Sequence, residues 1–177
     1  MQQTTKLERA LNALAVAMLA LAGVALMVMA LHIVADIGGR YLFAAPLPGT
    51  VEMVARYYMV LLVFLPLGWA QKENAHFAAG IFTDRLSARA RLKLQGLTQI
   101  GMAIVAALLA WVSVLAAEHA MSVSEQVQAA EFILQVWPAR WVLPASFALM
   151  SIYAALQAWN ALVVGRTTDS ASRDAGA

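Results

Sequence analysis

Residues 10–35 read ALNALAVAMLALAGVALMVMALHIVA, and this stretch decides the fold class. It contains no ionisable residue before His32 and exceeds the roughly 20 residues that a helix needs to cross a bilayer. Three more apolar stretches follow, over residues 51–70, 94–117 and 141–164. Arg56 interrupts the first of these three, and the other two carry no charge. The sequence therefore predicts an all-α membrane protein with four transmembrane helices.

The composition supports the same class. Of the 177 residues, 62% are hydrophobic and only 12% are charged, with a mean hydropathy of +0.72. Soluble domains carry about 25% charged residues, and a small domain cannot bury such an excess of apolar ones. This excludes a soluble enzyme, a nucleic-acid-binding protein and a secreted disulfide scaffold. The chain has no cysteine, which excludes disulfides, thiolate metal sites and iron–sulfur clusters.

The distribution of lysine and arginine predicts the orientation. Nine of these cations precede the first span, lie between the second and third, or follow the fourth, and three lie on the opposite side. The positive-inside rule then places both termini and the middle loop in the cytoplasm. We expect residues 1–166 to form a single four-helix domain and residues 167–177 to form a flexible cytoplasmic tail, because the tail is small and polar.

The connections between the spans differ in character. Residues 36–50 are rich in glycine and proline and predict a break between two helices, with Gly49 or Thr50 capping the second span. Residues 118–140 predict an extension of the third helix followed by an interfacial helical segment. The middle loop, residues 71–93, predicts an amphipathic helical segment in the headgroup plane of the membrane. Its cations, which we call the basic segment, are Arg85, Arg89, Arg91 and Lys93.

Four charged residues lie near the predicted outer ends of the first two spans. We call them the outer charges: Asp36, Arg40, Glu52 and Arg56. They form two pairs with a spacing of four residues, which permits ion pairs on one helix. Local structural pairs are one interpretation, and contact with a partner subunit or a binding protein is the other. Asn74 and His76, where the second span meets the middle loop, either cap the loop or contact a subunit.

The residues give no pattern for catalysis, so the sequence predicts neither an enzyme nor a bound cofactor. Two alternatives remain open. His32 and His119 both fall near the predicted outer face, so a stand-alone haem or redox protein is one alternative. The other is an autonomous four-helix exporter, although such a protein needs a membrane-embedded acidic residue, and every Asp and Glu lies near the end of a span. Pro66 removes a backbone hydrogen bond and predicts a kink in the second span.

The first connection also carries a family resemblance. DIGGRYLF (residues 36–43) followed by PLPGTVE (residues 46–52) resembles the small membrane subunit, of the DctQ type, of tripartite ATP-independent periplasmic (TRAP) transporters. QKENAH (residues 71–76), TDRL (residues 83–86) and WP (residues 137–138) are similar to further segments of that family. The resemblance extends over about residues 7–165 and agrees with the four predicted spans.

The resemblance implies a partner set and a role. The system takes up organic acids through the bacterial inner membrane, coupled to a sodium gradient, and a periplasmic binding protein captures the substrate. A large membrane subunit moves that substrate. The small subunit braces the large one and helps to dock the binding protein. This role suits a chain in which no charged residue is predicted at mid-membrane.

Overall fold

The computed structural model of the chain describes residues 6–74, 88–129 and 132–174. Four helical stretches in this part are long and apolar enough to cross a membrane, and we call them the four spans: Glu8–Phe43, Thr50–Glu73, Leu92–Ser122 and Trp137–Leu162. This confirms the predicted helical membrane fold with four spans. The orientation of the termini stays a prediction. The described elements, in order, are α1 (Lys6–Phe43), α2 (Thr50–Met53), a π-helical turn (Val54–Tyr58), α3 (Met59–Phe64), α4 (Leu67–Asn74), α5 (Ala88–Ser122), β1 (Gln126–Ala129), β2 (Phe132–Gln135), α6 (Trp137–Arg140) and α7 (Val142–Asp174).

The first connection is shorter than the sequence predicts, because α1 continues through Gly38 and Gly39 to Phe43. The helix stops where Ala44 adopts a left-handed backbone conformation, with φ at 51°. The N–H of Ala45 then donates to the carbonyl oxygen of Gly39 at 3.1 Å. The break between the first two spans is therefore confined to residues 44–49.

The second span is assembled from several helical pieces. The π-helical turn separates α2 from α3, and the α-helical pattern is interrupted at Leu65 and Pro66. Proline has no N–H to donate, so the interruption falls where the sequence predicts a kink. Regular bonding resumes at once, since the N–H of Ala70 donates to the carbonyl oxygen of Pro66 at 2.9 Å.

Small residues allow the spans to pack closely. Ala15 and Ala22 of the first span are almost fully buried in a cluster with Leu65 and Leu149. Gly68 lies so close to Leu149 that an added Cβ would approach its Cδ2 to 2.5 Å. Such close approach is typical of helix packing in membranes, where little hydrophobic force drives helices together. The closest partners are the third and fourth spans, which contact each other along α5 and α7.

A buried glutamine network joins three spans near the end of the second one. The side-chain amide of Gln71 donates to the Oε1 atoms of Gln99 at 2.8 Å and of Gln157 at 3.1 Å. Gln157 in turn donates to the backbone carbonyl oxygens of Gln71 and Lys72, at 3.1 and 3.3 Å. These carbonyls lie in the last turn of α4, where a helix has no bonding partners of its own. The network therefore both caps α4 and ties it to α5 and α7.

The last connection differs from the prediction. The third helix does extend to Ser122, but a two-stranded antiparallel hairpin follows it in place of an interfacial helix. In this hairpin Gln126 pairs with Gln135 and Ala129 with Phe132. A single helical turn, α6, then leads into the fourth span, and Pro138 occupies one of its first positions, as helix starts prefer. The hairpin forms because tertiary contacts hold it, as described below.

The final helix also departs from the predicted boundary. It continues past Thr167, where the sequence places the start of the tail, and ends at Asp174. Most of the predicted tail is therefore helical in the structure. Its flexibility in solution stays a prediction, as does the grouping of residues 1–166 into one domain.

Candidate functional site

The candidate site is the end of the bundle formed by residues 32–58, 119–129 and 132–143, which we call the outer rim. Asp36 organises its first half. Its Oδ2 lies 3.3 Å from Nη2 of Arg40, and its Oδ1 accepts a hydrogen bond from the backbone N–H of Leu47 at 2.8 Å. Asp36 is 8% exposed, whereas the Arg40 side chain is 61% exposed. The predicted local ion pair is present, and it also folds the connection back onto α1.

A second set of contacts joins the outer ends of the first two spans. Nδ1 of His32 lies 3.2 Å from the Tyr58 hydroxyl, and the two rings meet edge to face. Nε2 of His32 lies 3.5 Å from Oγ1 of Thr50, which donates to the carbonyl oxygen of Leu47 at 3.2 Å. Both ring nitrogens of His32 thus face hydroxyl groups of the protein. This favours a structural role for His32 over the haem alternative.

The hairpin packs onto the connection at Gly49. This glycine is the N-cap of the second span and adopts a left-handed conformation, with φ at 77°. An added Cβ would lie 2.6 Å from Cε1 of Phe132 and 3.3 Å from Cβ of Ala129. Only glycine accommodates both the conformation and the approach of the ring. Gly49, one of the two residues predicted to cap the second span, is therefore the cap. It is also the residue on which the hairpin packs.

Polar contacts hold the hairpin on its other side. The hydroxyl of Tyr57 donates to the carbonyl oxygen of Gln135, and the N–H of Val136 donates to the carbonyl oxygen of Glu125 at 2.8 Å. The Glu125 carboxylate accepts two hydrogen bonds from Arg140, from Nε at 3.0 Å and from Nη2 at 2.7 Å. This pair closes the base of the hairpin. A bidentate arrangement of this kind is among the stronger ion pairs in proteins.

The charges around this pair lower the pKa of the Glu125 carboxyl group. The side-chain hydrogen bond from Arg140 holds the pKa of Glu125 below its usual value, although partial burial acts in the opposite direction. The positive charges of Arg140, Arg56 and His119 favour the carboxylate as well. Arg56 therefore contributes to the electrostatics of the Glu125 pair.

The predicted pair between Glu52 and Arg56 does not form. Within the described residues, neither side chain has an ion pair or a hydrogen bond. The reason is local, because Arg56 lies in the π-helical turn. A π-helix bonds residue i to i+5, so the turn changes the direction in which its side chains point relative to those of the preceding α-helix. The turn redirects Arg56 toward the fourth span.

A cavity of about 190 Å³ lies between the second and fourth spans at this level. Two of its lining residues, Arg56 and Arg140, are charged, and the others are apolar. The lining residues are Ala55, Arg56, Val60, Phe64, Val136, Ala139, Arg140 and Leu143. The cavity thus combines charged and apolar walls at this end of the bundle.

Sequence reasoning missed Glu125 and Arg140 as a site. They are 15 residues apart and meet because the hairpin doubles the chain back between them. One signal was available, because QVQA at residues 126–129 alternates polar and apolar residues, as a half-buried strand does. Four residues are a short run, however, and glutamine and alanine also favour helices.

The structure places four of the remaining six candidates at the opposite end of the bundle. Asn74 is the last residue of α4, and His76 and Arg85 lie outside the described residues. Arg89, Arg91 and Lys93 lie in the first turns of α5, continuous with the third span. This part of the basic segment is therefore helical. Its position in the headgroup plane stays a prediction.

Comparison with known families identifies the chain. The model of the family described as "Tripartite ATP-independent periplasmic transporters, DctQ component" matches residues 29–164. The match spans most of the chain and includes the whole outer rim. The chain belongs to the DctQ family. A search of curated proteins finds no match to it.

This DctQ subunit is the small membrane subunit of a TRAP transporter. A component of a tripartite transporter acts together with the other two, the large membrane subunit and the substrate-binding protein. Membership also agrees with a multi-pass membrane protein that serves transport and not an enzymatic reaction. In the described part of the chain, no group of three or more His, Asp or Glu side chains is arranged to hold a metal ion.

Proposed function

We propose that this DctQ subunit is the scaffold of a sodium-coupled transporter for organic acids in the bacterial inner membrane. In this role it braces the large membrane subunit and helps to dock the periplasmic binding protein. The observation that carries the proposal is the position of the charges. In the described residues, every Asp and Glu of the four spans lies near the end of a span, and none lies at mid-membrane.

This distribution supports a scaffold over a translocating subunit. Transporters place coupling-ion and substrate sites near the middle of the bilayer, commonly with broken helices. Here the polar side chains inside the bundle bond to one another. Gln71, Gln99 and Gln157 form one such set, and the Tyr153 hydroxyl donates to Oδ1 of Asn12 at 3.0 Å. Side chains that are satisfied in this way fix helices in place and leave few groups free to bind a passing ion.

The first span supports the bracing role. It contacts the remaining spans much less than the third and fourth spans contact each other. Its outward side chains are large and apolar, and Met27 and Leu31 are among the most exposed. A bilayer covers such a face, and so does another membrane subunit. We therefore assign the bracing contact to the first span.

The end of α1 supports the docking role. The helix has 38 residues, so at 1.5 Å per residue it is about 57 Å long, whereas the hydrocarbon core is about 30 Å thick. Part of α1 therefore extends beyond the hydrocarbon core. Its last residues, Tyr41, Leu42 and Phe43, are all more than three-quarters exposed and follow the exposed Arg40. Aromatic residues and arginine are enriched in protein interfaces. A soluble binding protein on the periplasmic side would meet this end first.

The test is uptake by vesicles that contain both membrane subunits, with the binding protein added outside. We expect the double change Tyr41→Ala and Phe43→Ala to raise the concentration of binding protein needed for half-maximal uptake. Recovery of the large subunit should stay the same. A control is Leu108→Ala, which truncates an exposed apolar side chain in the middle of the third span. Unchanged dependence on binding protein in the double variant would refute the docking assignment.

Bracing needs a separate readout. Met27→Trp and Leu31→Trp, both on the outward face of the first span, should reduce the amount of large subunit that co-purifies. The same change at Leu108 should not. Vesicles with this DctQ subunit alone should take up no organic acid, and uptake by them would refute the scaffold role altogether.

A further inference from the structure

The cavity between the second and fourth spans has an uneven distribution of charge. Its rim holds two guanidinium groups, those of Arg56 and Arg140, with one carboxylate nearby, that of Glu125. The Glu125 carboxylate is engaged by Arg140 through two hydrogen bonds. Arg56 has no ion pair or hydrogen bond with the described residues. One positive charge is thus left over at the mouth of the cavity.

The mouth of the cavity also offers several hydrogen-bond donors to an anionic ligand. A guanidinium has five N–H donors, and the bonds to Glu125 use two of those on Arg140. The remaining donors of Arg140 and all five of Arg56 belong to side chains that line the same cavity. Arginine matches the geometry of phosphate and carboxylate oxygens, so the mouth has the chemistry of an oxyanion site.

The walls below the mouth are apolar and follow the second span. Val60 and Phe64 lie on its cavity side, and Leu143 faces them from the fourth span. Eight residues separate Arg56 from Phe64, which corresponds to roughly 12 Å along a helix. The cavity therefore leads from the level of the headgroups into the hydrocarbon core. Its volume of about 190 Å³ is below the 300 Å³ or more of common small-molecule sites.

We propose that this cavity binds one anionic phospholipid, with its phosphate at Arg56 and one acyl chain along Val60, Phe64 and Leu143. A phospholipid has a charged head group above an apolar tail, and the cavity has its charged mouth above its apolar walls. The carboxylate of a neighbouring protein would satisfy the mouth but would leave the apolar walls uncovered. By the predicted orientation, the lipid belongs to the periplasmic leaflet. The site does not depend on the proposed scaffold role, since it requires only that the chain lies in a bilayer.

The experiment compares lipids retained by the complex of this chain with its large subunit. The complex is exchanged into vesicles of phosphatidylglycerol or of phosphatidylcholine and extracted. Bound lipid per complex is then counted by native mass spectrometry. We expect the wild type to retain one more phosphatidylglycerol than Arg56→Gln, and that variant to bind this lipid about tenfold more weakly. Arg56→Lys keeps the charge and should retain more of the lipid than Arg56→Gln. Arg40→Gln removes another exposed charge near the same end of the bundle and should have no effect.

A second pair of variants tests the apolar part without a change of charge. Ala55 lines the cavity and is exposed, so Ala55→Phe should fill its mouth and lower the retention of the lipid. Ala107→Phe, at an exposed position of the third span, is the matched control and should retain the lipid as the wild type does. This pair decides the question if Arg56→Gln is not recovered as a folded complex.

Three results would overturn the proposal. The first is equal lipid retention by the wild type, Arg56→Gln and Ala55→Phe. The second is equal retention of phosphatidylglycerol and phosphatidylcholine at the Arg56-dependent position. The third is that Arg56→Glu restores assembly when an acidic residue of the large subunit or the binding protein is changed to arginine. That last result would assign Arg56 to a protein carboxylate.

Discussion

Gly49 is the position at which a single methyl group should do most damage to the outer rim. Gly49→Ala forces an L side chain into the left-handed region, with φ at 77°, which costs about 1–2 kcal/mol. The new Cβ would lie 2.6 Å from Cε1 and 2.7 Å from Cζ of Phe132. Overpacking of this kind costs about 1–3 kcal/mol. We therefore expect a loss of about 2–5 kcal/mol, with both contributions arising at one atom.

Thermal unfolding of the purified chain, followed by tryptophan fluorescence, measures the effect. For a protein of this size each kcal/mol shifts Tm by about 2–4 °C, so Gly49→Ala should lower the apparent Tm by about 4–20 °C. The matched control is Gly101→Ala in the middle of α5. No side chain lies within 4 Å of the Cβ that this change adds, and its φ is not positive. Alanine also has a higher helix propensity than glycine, so the control should not lower Tm.

A double variant separates the two causes. Phe132→Ala removes the ring that the new methyl group meets, so Gly49→Ala should cost less in that background than in the wild type. The cost that remains is the backbone strain, about 1–2 kcal/mol. Equal costs in the two backgrounds would show that the hairpin does not pack on Gly49. A wild-type Tm for Gly49→Ala would refute the reasoning completely.

Three further predictions concern the ion pair, the buried network and the orientation. Glu125→Gln should cost about 1 kcal/mol or less at neutral pH, because both side chains of the pair are partly exposed. The pKa of Glu125 is lowered in the folded state, so this stabilisation should disappear as the pH falls through the folded pKa, below the usual 4.3 or so. Thermal unfolding from pH 7 to pH 3 measures the effect. Gln157→Leu should cost about 1–3 kcal/mol by leaving the Gln71 amide and two carbonyls short of partners, whereas Asn160→Leu, at an exposed position of the same helix, should cost less. Replacement of the basic segment by glutamates should move a reporter fused after Lys93 out of the cytoplasm or lower insertion, and a cytoplasmic reporter with normal expression would contradict it.

The four spans were predictable because their signal is local and strong. A run of 20 apolar residues has few alternatives to a membrane helix, whatever the rest of the chain does. The ion pair of Asp36 and Arg40 was predictable for the same reason, since both residues lie on one continuous helix. The family resemblance rests mainly on residues 36–43 and 46–52, which contain several glycine and proline residues. One of them, Gly49, proves to be the residue against which the hairpin packs.

The hairpin and the π-helical turn were not predictable, because their causes are remote in sequence. The strands are four residues long, and their geometry depends on Phe132 against Gly49 and on Tyr57 against Gln135. The i, i+4 rule suggested a pair of Glu52 with Arg56, but the rule holds only while the helix is α-helical. The inserted turn breaks that condition. Local patterns therefore predicted the spans, and tertiary contacts decided which charges meet at their ends.

The same tertiary contacts have a mechanical consequence for the outer rim. The residues that follow the third span are joined to the start of the second span twice, by the ring of Phe132 on Gly49 and by the Tyr57 hydroxyl on Gln135. Glu125 and Arg140 then tie the base of the hairpin to the start of the fourth span. At the opposite end, the glutamine network joins the second, third and fourth spans again. Three spans fixed to one another at both ends resist sliding, whereas the first span is held mainly along one face. We therefore expect this subunit to move as a unit, as the proposed bracing role requires.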